Sequence, residues 1–172
     1  MTLSKKYDII ILKLSKLSLY LLIILSILSI TSSIYNIEEV LYLSNLYKVK
    51  SFIKTYSSLK TEEEVSYLAE RFMSHGYATA KWLAATAKVE TNFNSSAIGT
   101  SGEVSMFQIL DWPEGHNPLD IDLAIKEALR VRDIKIRTWG NTFKALQAYN
   151  GNPRSKRTYR YAQKIKFYME LM

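Results

Sequence analysis

Cysteine is absent from this 172-residue chain, which excludes a disulfide framework, thiol catalysis and thiolate-bound metal. A cysteine-free chain folds in any redox compartment, so the absence does not place it. Histidine is nearly absent too. His75 and His116 stand far apart without ligand spacing, so no metal site and no other cofactor is expected. There is no internal repeat, no strand-rich region and no nucleic-acid-binding motif, so nucleic acid is not an expected partner. From Leu17 to Tyr35, charge itself is missing.

That uncharged run, LSLYLLIILSILSITSSIY, has 19 residues. At about 1.5 Å per residue it crosses a hydrocarbon core of about 30 Å. Four lysines precede it, and Glu38 and Glu39 follow it. The positive-inside rule then keeps the N-terminus cytoplasmic and exports everything after about residue 36. A secretory signal peptide is the close competitor, because Leu17 to Ile30 has the length of an h-region. No A-x-A-like site follows, although Thr31 and Ser33 are small enough for cleavage. An uncleaved anchor is the reading adopted; if the segment is cleaved, the protein is secreted. Both readings export the rest of the chain.

Apolar residues make up 48% of the sequence, a globular composition. The net charge of +7 is concentrated at the ends. Lys5, Lys6, Lys13 and Lys16 against Asp8 give +3, while Arg154, Lys156, Arg157, Arg160, Lys164 and Lys166 against Glu170 give +5. A basic tail is commonly a solvated helix face. The functional alternative is contact with a polyanion such as anionic lipid or an acidic cell wall.

The rest of the chain has helical patterning, so the fold class is mainly α. Residues 37–60 form a linker or accessory helix, with Val40, Leu43, Leu46 and Val49 at helical spacing. Thr61 and Glu64 make a capping box that opens a helix ending near Gly76, with Val65, Leu68, Ala69 and Phe72 as its stripe. A second helix runs from about Thr79 to Thr91. Residues 92–118 are irregular, broken by Gly99, Gly102, Pro113, Gly115 and Pro118. Helices then follow over about Ile121–Thr138, Thr142–Tyr149 and Lys156–Leu171. The domains expected are 1–36 (cytoplasmic tip and anchor or signal), 37–60 and 61–172.

One carboxylate stands out. Leu83, Ala87 and Glu90 share a helix face, so Glu90 lies on the apolar side rather than the solvated one. Desolvation raises a carboxyl pKa there, and the negative end of the helix dipole opposes its charge. Both effects favour a protonated group near neutral pH, as a general acid requires. A paired or partly exposed glutamate fits the spacing equally well.

The stretch VETNFNSSAIGTSGEVSMFQI resembles the catalytic core of lytic transglycosylases of the SLT type, lysozyme-like enzymes that cleave peptidoglycan. Their pattern is glutamate-serine, phenylalanine-asparagine, a small-residue loop, then glycine-leucine-methionine-glutamine. ALQAYNGN at 145–152 resembles their alanine-tyrosine-asparagine motif, and YAQKI at 161–165 their closing helix. The resemblance covers about Thr79 to Ile165. It departs from the family at Thr91 for serine, at Ser105, Met106 and Phe107 before Gln108, and in DWPEGHNP for the usual proline-x-threonine. Ser105 in place of glycine implies either a narrower groove or a different backbone angle.

The resemblance implies a lysozyme-like, α+β-type domain in which Glu90 is the catalytic acid and base. It also implies that Thr91, Ser105, Met106, Phe107, Gln108, Tyr149 and Asn150 contact substrate. Peptidoglycan glycan strands are then the partner, in the service of wall remodelling, a secretion machine or phage entry. Without the resemblance, Tyr149 reads as a core tyrosine and Asn150 as the turn into Gly151. Trp112 and Phe107 are candidates for stacking on sugars. Glu103, Asp111, Glu114 and Asp120 form no defensible catalytic pair. Two alternatives stay open: a lysozyme-type hydrolase using one of these acids, or a weakly active wall-binding or assembly module.

Overall fold

The computed structural model describes residues 3–59, 61–110 and 112–172, with side chains from Ser18 onward. Lys5, Lys6, Lys13, Lys16 and Asp111 therefore lie outside the described side chains. The chain divides into two units, Met1–Ser44 and Asn45–Met172.

Helix α1 runs from Leu3 to Tyr56. Within the first unit its apolar side chains from Leu19 onward are exposed, and the helix is long and apolar enough to cross a membrane. The hydroxyls of Ser26, Thr31 and Ser33 donate to carbonyls one turn back. These three hydroxyls are thereby satisfied inside the helix.

The second unit is mainly helical, with no strand among the described residues. Its helices are the end of α1, then α2 (Glu62–Met73), α3 (Tyr77–Thr91), α4 (Ile121–Trp139), α5 (Thr142–Tyr149) and α6 (Lys156–Glu170). The stretch 37–60, expected as a linker or accessory helix, is helical to Tyr56. Val49, Phe52 and Ile53 are buried in the core, and Phe52 and Tyr56 stack edge-on with Tyr168 of α6. The apolar stripe near the end of α1 is therefore Val49, Phe52, Ile53 and Tyr56, while Val40 and Leu43 stay exposed.

Helix α3 is central, packed on α2 and α6, while α5 packs on α4 and α6. Four of the five alanines of α3, Ala80, Ala84, Ala85 and Ala87, have no exposed surface. Such small side chains let neighbouring helices approach closely. Gly76 precedes the helix at φ 82°, and Asn92 caps it in the left-handed conformation. Helix α4 divides its apolar positions between two jobs. Ala124, Ile125 and Ala128 enter the core, whereas Val131 and Ile134, further along, face a groove.

The described residues of 92–120 are irregular apart from two isolated antiparallel bridges, Ile98 with Val104 and Val104 with Ile109.

Candidate active site

Glu90 sits in the last turn of α3. Leu83 and Ala87 beneath it are fully buried, and Glu90 itself is half-buried. The hydroxyl of Tyr161, a buried residue of α6, donates to Glu90 Oε1 at 2.5 Å. Three influences act on the carboxyl. Burial disfavours its charged form most strongly, Tyr161 favours it, and the negative charge of Glu103 opposes it, so its pKa is pushed up to about 7. Burial and the Glu90 charge hold the phenols of Tyr161 and Tyr149 above the usual tyrosine range. Both therefore remain hydrogen-bond donors.

The turn Ser105–Gln108 is held from both sides. The Thr91 hydroxyl, on α3, donates to the Met106 carbonyl at 3.0 Å. The Tyr149 hydroxyl, on α5, donates to the next carbonyl, that of Phe107, at 3.2 Å. Ser105 adopts φ 73°, the left-handed region a glycine would occupy without strain. Its side chain is 2% exposed and accepts from Phe107 N–H at 3.3 Å. Ser105 thus keeps a glycine-like backbone and turns its hydroxyl inward, away from any groove.

Gln108, at φ 49°, donates through Nε2 to the carbonyls of Ser105 at 3.0 Å and Ala97 at 3.3 Å. Gly99 packs beneath it. A methyl group at Gly99 would stand 2.4 Å from Glu103 Oε2 and 2.6 Å from Gln108 Oε1, so only glycine lets those two side chains close over the loop. Asn92, Phe93, Ser105 and Gln108 all have positive φ. Such conformations are costly for non-glycine residues and concentrate where function constrains the backbone.

A groove of about 590 Å³ passes over these groups. Of the residues expected at a site, Glu90, Gln108, Tyr149 and Asn150 line it. Thr91, Ser105, Met106 and Phe107 do not. Met106 and Phe107 are core side chains, and Phe107 has no exposed surface to stack on a sugar. The apolar environment behind the groove wall draws both inward, so the groove begins at Gln108. The Trp112 ring packs against the core and its Nε1 donates to the His116 carbonyl at 3.0 Å.

Other groove residues carry weaker sequence signals. Glu103, which reads as a solvated loop acid, lines the groove. Hydrogen bonds from its own backbone N–H and from that of Ser101 hold its carboxyl below the usual range. Arg130 and Lys135 project from α4, and the nearly buried Glu127 holds Arg130 Nε at 2.5 Å. Tyr161, the head of the YAQKI segment, was not among the residues expected at the site; with Ile165 four positions on it belongs to the buried face of α6. A tyrosine on such a stripe needs a partner for its hydroxyl, though its own helix does not say which.

Among the described residues, no three His, Cys, Asp or Glu side chains gather as a metal-holding group. Neither a protein-family model, nor a curated protein, nor a solved structure matches this chain.

Proposed function

We propose that the chain is a peptidoglycan lytic transglycosylase, cleaving the β-1,4 bond from N-acetylmuramic acid to N-acetylglucosamine with release of 1,6-anhydro ends. One observation carries the reading. A half-buried glutamate with its pKa near 7 and a phenol donating to it at 2.5 Å stands in the wall of an open polar groove. Such a group is divided between acid and base near neutral pH, which is what a residue performing both roles requires. The motif pattern of 79–165 supplies the reaction.

In this mechanism Glu90 gives its proton to the glycosidic oxygen as the C1–O bond breaks. The acetamido oxygen of the substrate supports the electron-poor C1, an exception to the two-carboxylate rule. The Glu90 carboxylate, now accepting from Tyr161, removes the proton of the muramic C6 hydroxyl, and O6 closes on C1. No water enters. Gln108, Tyr149 and Asn150 border the reacting sugars, and Thr91 and Ser105–Phe107 act from behind by fixing the turn. The proposed fold of 61–172 is lysozyme-like, with the bridged turn 98–109 as its β-type part. Helix α1 anchors the enzyme with its N-terminus in the cytoplasm and the groove outside.

The test is digestion of purified sacculi followed by mass spectrometry of the products. Anhydro-muropeptides from the native chain and none from Glu90→Gln are expected; near-native release by the variant removes Glu90 from its role. Glu103 in the same groove, held ionised, favours a second reading, a lysozyme-type hydrolase with Glu103 as its second carboxylate. Reducing ends in place of anhydro ends select it.

A further inference from the structure

A second cavity of about 450 Å³ adjoins the groove and shares Glu90, Asn150 and Arg157 with it. Its rim is formed by four cations of α6: Lys156, Arg157, Arg160 and Lys164. None of the four has an ion pair among the described residues; the ion pair on this helix is Lys166 with Glu170, at 3.8 Å. Apart from Glu90, no carboxylate lines the cavity.

Their placement runs against local stability. Ser155 caps α6, so Lys156 and Arg157 occupy its first turn, where the helix dipole repels cations. Lys156 and Arg160, and Arg160 and Lys164, are like-charged i,i+4 pairs, which also weaken a helix. An anion held among them relieves both penalties. One cation is already oriented, since Arg157 Nη2 donates to the Asn150 carbonyl at 3.2 Å. That contact lies where the two cavities meet.

We infer that this cavity is a subsite for the carboxylates of a peptide borne by the glycan in the groove. The inference rests on the peptidoglycan reading. Because the cavity shares Glu90, the anion it takes hangs from the sugar at the cleaved bond or from its neighbour. On a strand of alternating N-acetylglucosamine and N-acetylmuramic acid, the acidic substituent there is the lactyl-linked peptide. The arginine forks match carboxylates in a bidentate manner, and the lysines supply attraction that salt screens.

The experiment measures affinity on the full chain in non-ionic detergent, in the Glu90→Gln background to prevent turnover. The probes are a muramyl tetrasaccharide with free peptide carboxylates, the same compound amidated, and chitotetraose. The acidic probe should bind at least about ten-fold more tightly than the amidated one in 50 mM salt, with the preference shrinking by 300 mM. Arg160→Gln with Lys164→Gln should bring the ratio towards one. All four cations are exposed, so the double variant should keep its fold, and the amidated probe tests the idea without any variant. Equal binding of the two peptide probes, or a ratio unchanged in the double variant, overturns the inference. Displacement of the acidic probe by glycerol-phosphate oligomers at matched charge overturns the assignment to carboxylates. The function reading fails separately, if chitotetraose does not bind and the native chain releases no muropeptides.

Discussion

Replacing Glu90 with glutamine should stabilise the second unit at pH 8 and leave it little changed at pH 4. The folded carboxyl titrates near 7 against an ordinary value of 4.5. Each unit of difference corresponds to about 1.4 kcal/mol, so ionised Glu90 costs the fold about 3 kcal/mol. Between these two values the folded protein holds the proton and the unfolded chain has lost it, so stability falls as pH rises through this window. The loss is complete above about pH 7. Glutamine has no charge to desolvate, and its carbonyl still accepts from Tyr161. For a unit of this size about 3 kcal/mol is roughly 10 °C in melting temperature. The assay is thermal unfolding in non-ionic detergent, followed by near-ultraviolet circular dichroism, at half-unit pH steps. Taking the difference between variant and native cancels the titration of every other group. A difference that stays flat from pH 4 to 8, or is larger at pH 4, refutes the argument that burial dominates at Glu90.

Tyr161→Phe removes the donor that favours the Glu90 carboxylate, so its pKa should rise further. The basic limb of the pH profile for muropeptide release should then move up and the maximal rate fall on the order of ten-fold or more; a limb moving down contradicts the geometry. Ser105→Gly relieves a left-handed strain of about 1 kcal/mol but gives up a buried hydrogen bond of similar worth. It should melt within a few degrees of native. Ser105→Val gives up the bond and adds a β-branched side chain at positive φ, so a loss of about 3 kcal/mol is expected in the same melt. Gly99→Ala should displace Glu103 and Gln108 and lower kcat/KM on sacculi several-fold with little change in melting, because the Gly99 loop lies outside the core.

The parts of this fold that were legible in the sequence are those whose causes are local. Thr61 and Glu64 close the capping box in both directions, at 3.1 and 3.0 Å. Helix α5 begins at the residue expected because Asn141 caps it through Phe143 and Lys144 N–H, and it ends on its C-cap Asn150, ahead of Gly151. The face of Glu90 was legible for the same reason, since three residues of one helix define it. Tyr161, which completes the pair, is 71 positions away, and no single-helix pattern carries that distance. The reading of 37–60 as a linker or accessory helix left open how its last turns are covered, for a related reason. A helical stripe shows that something is covered, but not whether the cover is a membrane, a second helix or the body of the fold. Ser105 was the opposite case. A narrower groove or a different backbone angle was expected of its side chain, and both expectations left out the inward direction that its hydroxyl takes to accept from Phe107 N–H.

Two hydroxyls, from Thr91 and Tyr149, grip the consecutive carbonyls of Met106 and Phe107. The contacts use main-chain oxygen, so they do not depend on which side chains the turn carries. The main chain of the turn leading into Gln108 is therefore registered by helices α3 and α5, while the Gln108 side chain also reaches back to the Ala97 carbonyl of the preceding loop. Because that contact too uses main-chain oxygen, the side chains of residues 95–97 and 100–102 can drift in sequence, or be exchanged by design, with the turn left in place. A library that varies those positions while keeping Thr91, Gly99 and Tyr149 would vary the loop around a fixed turn.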